Sequence, residues 1–146
     1  MTPTLKLKLQ NGARFELPAA AINIVEESAE GKGSVIGYDL GPGAAHEVLT
    51  DNYGFVKKQV LDAGGITNPI EMTSVSGDGK TCRVTLSRER IVARLEVLDS
   101  PVGVHATLTI ASGNSSFELN VADTLDQMDG IESRAPKPRR VRTAAA

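Results

Sequence analysis

A strand-turn-strand pattern written twice limits what this chain can fold into. Residues 4–17 alternate apolar and polar side chains around Asn11-Gly12, and residues 70–86 do the same around Asp78-Gly79. A period of two puts every second side chain on one face of a strand, and Asn-Gly or Asp-Gly supplies the positive φ of a tight hairpin turn. Each hairpin is followed by an apolar strand (21–27 and 91–98), a turn, a further strand (34–40 and 102–110), a Gly-bearing turn and a fifth strand (45–49 and 116–121). Ile22 and Ile91 stand 69 positions apart and Leu40 and Ile110 stand 70 apart, a nearly constant offset that points to one unit written twice. Each unit is expected to close with a helix. In the first, Asp51 or Asn52 caps, Phe55, Val56, Val60 and Leu61 form the apolar face, and Gly64-Gly65 stops it; in the second, Asp123 caps, Leu125 and Met128 point inward, and Gly130 ends a shorter turn.

These elements predict a mainly β protein: two tandem related modules of about five short antiparallel strands plus a short helix, of small barrel or sandwich type. A parallel sheet would need a helix after every strand. The predicted boundaries are 1–66 for the first module, 67–133 for the second and 134–146 for a C-terminal tail. Lobes this small bury little core alone, so they are expected to pack together or to form a homo-oligomer, with a strand edge as the natural contact. Lys6 and Lys8 on the first strand read as guards against such pairing.

The formal net charge of −2 hides a division. Residues 134–146 contain Arg134, Lys137, Arg139, Arg140 and Arg142 and no acid, which leaves −7 on the rest of the chain against +5 on the tail. Alternating prolines and bases with almost no large apolar group predict a disordered basic arm. Such an arm can bind nucleic-acid phosphates, an acidic protein surface or the acidic body of a neighbouring copy. The body itself has five aromatic residues, and Phe15, Phe55 and Phe117 sit in core-like patterns, so no base-stacking platform is visible.

Catalytic, metal and cofactor signatures fail on context. His46-Glu47-Val48-Leu49-Thr50 starts like H-E-x-x-H but ends in Thr and alternates like a strand, so no metal site is expected. His105 reads as one residue of a β face. Gly79-Lys80-Thr81 resembles the end of a phosphate-binding loop, but Ser74 stands where that loop needs Gly and a strand follows. Cys82, the one cysteine, lies in a strand where a thiol acts as a small hydrophobe, and it excludes a disulfide framework within the chain. Arg90-x-x-x-Arg94 matches the R-x-x-x-R of PilZ domains and Ser100-x-x-Gly103 the end of their second motif; the spacing is too short and Leu98 stands where an acid belongs, so the match is rejected. It leaves Arg88, Arg90 and Arg94 as a basic cluster that, on alternate residues of a strand, can face one side and hold a carboxylate or phosphate. No apolar run is long enough to span a membrane, and Met1-Thr2-Pro3-Thr4 leads into alternating Leu and Lys without a secretory leader pattern. A cytoplasmic location is expected, or a virion-associated one if the chain is phage-encoded.

Leu9-Gln10-Asn11-Gly12 with Phe15-x-Leu17, Ile22-x-Ile24-Val25-Glu26, Ser34-Val35-Ile36, His46-x-Val48 and Val56-Lys57-Lys58-Gln59-Val60 follow one another in an order that resembles the small flagellar FlbD-type proteins over residues 5–61. The same grammar occurs in LytTR-type DNA-binding domains and in small phage-encoded proteins. The resemblance supplies no catalytic residues and favours a binding or assembly role. The sequence therefore predicts a non-enzymatic, β-rich binding or structural protein acting through protein-protein contacts, with nucleic-acid binding through the basic arm as the alternative.

Overall fold

The structure is a computed structural model describing residues 3–28 and 32–130. In chain order it contains β1 (Thr4–Lys8), β2 (Arg14–Pro18), a 3-10 turn (Ala19–Ala21), β3 (Ile22–Glu27), β4 (Ser34–Asp39), β5 (Ala44–Leu49) and α1 (Tyr53–Asp62). The same succession follows as β6 (Pro69–Val75), β7 (Thr81–Ser87), a 3-10 turn (Arg88–Arg90), β8 (Ile91–Glu96), β9 (Ala106–Ser112), β10 (Ser115–Val121) and α2 (Leu125–Met128). The protein is mainly β, as the alternation predicts.

Eight strands form one antiparallel sheet in the order β5-β4-β3-β7-β6-β10-β9-β8, and β1 and β2 form a separate two-stranded sheet. The second half reproduces the register of the first by a fixed shift for each strand. Ile22 opposite Tyr38 and Glu27 opposite Ser34 become Ile91 opposite Ile110 and Glu96 opposite Ala106, which is 69 positions on in β3 and 72 in β4. A register irregularity falls between Ile22 and Ile24 in β3 and again between Ile91 and Ala93 in β8. The bridge between Leu9 and Leu49 has its counterpart in Val121 opposite Ser74. Likewise the Thr50 N–H donates to the Lys8 carbonyl (3.0 Å) and the Ala122 N–H to the Thr73 carbonyl (2.8 Å). The two halves meet where β3 pairs β7, through Ile24-Leu86, Val25-Thr85 and Glu26-Val84.

Several local expectations need correction. Leu40 is not the counterpart of Ile110: Ile110 takes the place of Tyr38, and Leu40 is 53% exposed beyond the end of β4. β8 ends at Glu96 and β9 starts at Ala106, because the Ser100 Oγ accepts from the N–H groups of Val102 (3.3 Å) and Val104 (3.1 Å) and folds that stretch into a turn. Asn52, not Asp51, caps α1, its Oδ1 accepting from the Phe55 N–H at 2.9 Å. Phe55 is 52% exposed, and Tyr53, Val56 and Val60 are the buried face, at the i, i+3, i+7 spacing of one helical stripe. The helix stops as predicted: Gly65 N–H reaches the Val60 carbonyl and Gly64 N–H the Leu61 carbonyl, with Gly64 at φ 75°. At α2 the cap is Thr124, which trades hydrogen bonds with Gln127. Asp123 instead accepts the Thr73 N–H at 2.7 Å, tying β6 to the segment after β10.

Two cores follow. Leu5, Leu7, Leu17, Ile22, Val25, Ile36, Leu49, Val56 and Val60 fill the first, between α1 and β1–β5. Ile24, Met72, Val84, Leu86, Leu108, Ile110, Val121 and Met128 fill the second. Tyr53 leaves the first core with its hydroxyl against the Glu71 carboxylate (2.6 Å) and the Thr85 hydroxyl, both from the other half. Thr85 is fully buried. Tyr53→Phe strands that hydroxyl, so chemical denaturation is expected to show a loss of about 1–3 kcal/mol; an unchanged midpoint would show that the contact carries no stability.

Candidate functional site

Among the described residues the three arginines do not form one cluster. Arg88 and Arg90 lie in the 3-10 turn and Arg94 in β8, so they do not alternate along a strand. Arg88 donates to the Met128 carbonyl (2.8 Å), Arg90 to the Ala111 carbonyl (3.2 Å), and Arg94 pairs with the Asp129 carboxylate (2.7 Å). Arg88 and Arg94 flank a cleft of about 380 Å³ with Ile70, Val92 and Met128, whereas Arg90 lines a different one with Asn23, Asp39 and Asn114. Each guanidinium is already held by its own chain.

The larger trough, about 550 Å³, runs over the face of β3–β5 turned away from α1. Ile24, Glu26, Val35, His46 and Val48 form its floor and rim, and Ser112 and Phe117 close it from the second half. Gly37 keeps the floor open, since a Cβ there would stand 2.7 Å from the Ile24 side chain. The Asn23 amide donates to the Ser112 hydroxyl at one end and joins the halves. Burial pushes the Glu26 carboxyl above its ordinary value, opposed by the positive charge His46 can carry. The trough therefore offers one carboxyl that holds its proton more readily than usual and one exposed imidazole.

Glu26 was not legible as special: it follows four apolar or buried positions near the end of a strand, and its burial comes from packing beyond that strand. His46 lies on strand β5, so the H-E-x-x pattern never reaches helical geometry. His105 is exposed with its Nδ1 2.7 Å from the Ala122 carbonyl. Cys82 is half-buried, and burial with the Glu27 and Glu26 charges pushes its thiol up, opposite to an activated thiolate. Among the described residues no group of His, Cys, Asp and Glu is arranged to hold a metal, and no helix is long and apolar enough to cross a membrane. Arg134, Lys137, Arg139, Arg140 and Arg142 lie outside the described residues.

The remaining feature is a strand edge. Among the described residues β8 is hydrogen-bonded to β9 alone and β2 to β1 alone. Val92 is 61% exposed, Leu95 66% and Leu98 87%, so the β8 side of the sheet presents apolar side chains with Arg94 between them. No protein-family model, curated protein or solved structure matches the chain.

The raised Glu26 carboxyl has a consequence for stability. Its folded value lies above its unfolded one, so the fold favours the protonated form, and the stability it contributes is full below the ordinary carboxylate range and lost as pH rises through the raised value. Glu26→Gln escapes that loss. Thermal melts are expected to show the variant more stable than the parent at neutral pH, with the gap closing below about pH 4; a gap independent of pH would remove burial of the Glu26 charge as its cause.

Proposed function

We propose that this chain is a non-enzymatic, β-rich binding or assembly protein of bacterial or phage type, built from two related modules (1–66 and 67–133) and acting through protein-protein contacts. The β8 edge carries the reading: a row of backbone groups with no strand partner among the described residues, flanked by Val92 and Leu95, is a template for another protein. The fixed register shifts between the halves support the two-module design. The FlbD-like pattern of residues 5–61 points toward the same role.

Light scattering and affinity capture from a bacterial lysate, run on the full chain and on Val92→Lys/Leu95→Lys, test this. A defined oligomer or partner complex that the double variant loses is expected. A strict monomer that captures nothing overturns the reading.

The charge split favours a second reading, nucleic-acid binding by Arg134, Lys137, Arg139, Arg140 and Arg142. Replacing these five by Ala is then expected to abolish binding to labelled single- and double-stranded DNA and to flatten its salt dependence in an anisotropy titration. Binding unchanged by the replacement, or none at physiological salt, rejects the arm as a nucleic-acid element.

A further inference from the structure

We propose that copies of this chain associate head to tail, β8 of one pairing antiparallel with β2 of the next, by repeating between chains the contact that β3 and β7 make within one. The inference rests on the reading of two related halves. β3 corresponds to β8 and β7 to β2 by the same shift of 69 positions, the second match fixed by the 3-10 turns Ala19–Ala21 and Arg88–Arg90. Hairpin register agrees independently: Pro18 faces Thr4 as Ser87 faces Pro69, and Arg14 faces Lys8 as Arg83 faces Thr73, the second hairpin being longer only at its turn. β3 and β7 have found each other, while β8 and β2 each retain an edge unpaired among the described residues.

Carried across, the Ile24-Leu86, Val25-Thr85 and Glu26-Val84 pairs become Ala93-Leu17, Arg94-Glu16 and Leu95-Phe15. The second pair sets Arg94, held by Asp129 in its own chain, opposite Glu16, and the third covers the exposed Leu95. The internal contact is also closed by an ion pair, Arg83 to Glu27 at 3.0 Å, with the Arg83 N–H donating to the same carboxylate at 3.1 Å. The corresponding residues are Arg14 and Glu96, the same two residue types. Arg14 now reaches only Glu16 at 3.9 Å, and Glu96 has no ion-pair partner among the described residues.

A third correspondence comes from outside the strands in contact. Asn23 and Ser112 bond across the internal contact, and their counterparts are Val92 and Leu40, by the shifts of β3 and β4. These are exposed by 61% and 53%. A buried polar pair inside the chain thus maps onto an apolar pair between chains, and Val92, Leu95 and Leu40, three of the exposed large hydrophobic residues, are covered by one arrangement. The contact joins two different surfaces, so it generates a ring if the rotation closes and a filament if it does not.

Sedimentation velocity on the full chain over a concentration series tests the proposal. The mass is expected to rise with concentration, and Arg14→Glu or Glu96→Arg alone is expected to weaken association about tenfold or more by setting like charges together. Mixing the two single variants in equal amounts restores association, because each then offers the other an opposite charge; only contact between residues 14 and 96 of different chains gives that result. Both positions are exposed, and circular dichroism confirms folding; Val92→Lys is the second variant, expected to weaken association equally. A monomer at every concentration, or association indifferent to these changes, overturns the proposal. A monomeric chain that captures another protein through β8 overturns it while leaving the assembly reading intact.

Discussion

The molecule depends on the short pairing of β3 with β7. It spans only three residue pairs, too few to hold two halves by backbone hydrogen bonds alone. What makes it hold is the irregularity at Asn23. A bulge flips the parity of a strand, so Ile22 and Val25 enter the first core while Ile24 enters the second. β3 is thereby buried on both faces over its first four residues, and neither core is complete without it.

Around that strand the seam is polar, and its charges are arranged in a chain. The Tyr53 hydroxyl reaches Glu71 and Thr85, Lys57 reaches Glu71 at 3.0 Å, and the Arg83 guanidinium lies 4.9 Å from the Tyr53 ring centre on its way to Glu27. Hydrogen bonding from Tyr53, and then Lys57, holds the Glu71 carboxyl below its ordinary value; Arg83 does the same for Glu27. Both lowered groups contribute stability that is present above the ordinary carboxylate range and lost as pH falls through their folded values. Glu26 runs the other way, so acid relieves the trough while it loosens the seam. Exposure screens the two ion pairs, and the seam's strength rests more on the buried Thr85 and Asn23 hydrogen bonds than on them.

Local chemistry was legible in the sequence, and placement across distance was not. The Asn11-Gly12 and Asp78-Gly79 hairpins and the Gly64-Gly65 helix stop depend on a few neighbouring residues, and they form where the pattern put them. Asp123 misled because the Thr73 N–H, 50 positions away, claims its carboxylate. Tyr53 belongs to the same helical stripe as Val56 and Val60, but the partners its hydroxyl finds in the other half are what helical periodicity does not report. Arg88 and Arg90 left the strand pattern because a 3-10 turn precedes β8, and the carbonyls that hold them come from α2 and β9. The Leu40-Ile110 match slipped by two because strands tolerate such shifts in pattern while register does not.

β3 and β8 are the most informative comparison in the molecule, because their registers against β4 and β9 match while their surroundings differ. Where β3 has Asn23, Val25 and Glu26, β8 has Val92, Arg94 and Leu95, and it is exposed along nearly its whole length. An edge meant for water is usually blunted by lysines, by proline or by a bulge that twists it away. β8 carries no lysine or proline; besides the charged Arg94 and Glu96, what blunts it is the irregularity at Val92. That feature does not protect an edge here, because the identical irregularity in β3 leaves room for β7 to pair directly beside it. Exposed Val92 and Leu95, an irregularity of the kind beside which β3 pairs with β7, and a Glu96 without an ion-pair partner among the described residues, where Glu27 finds Arg83, together support the proposed strand pairing.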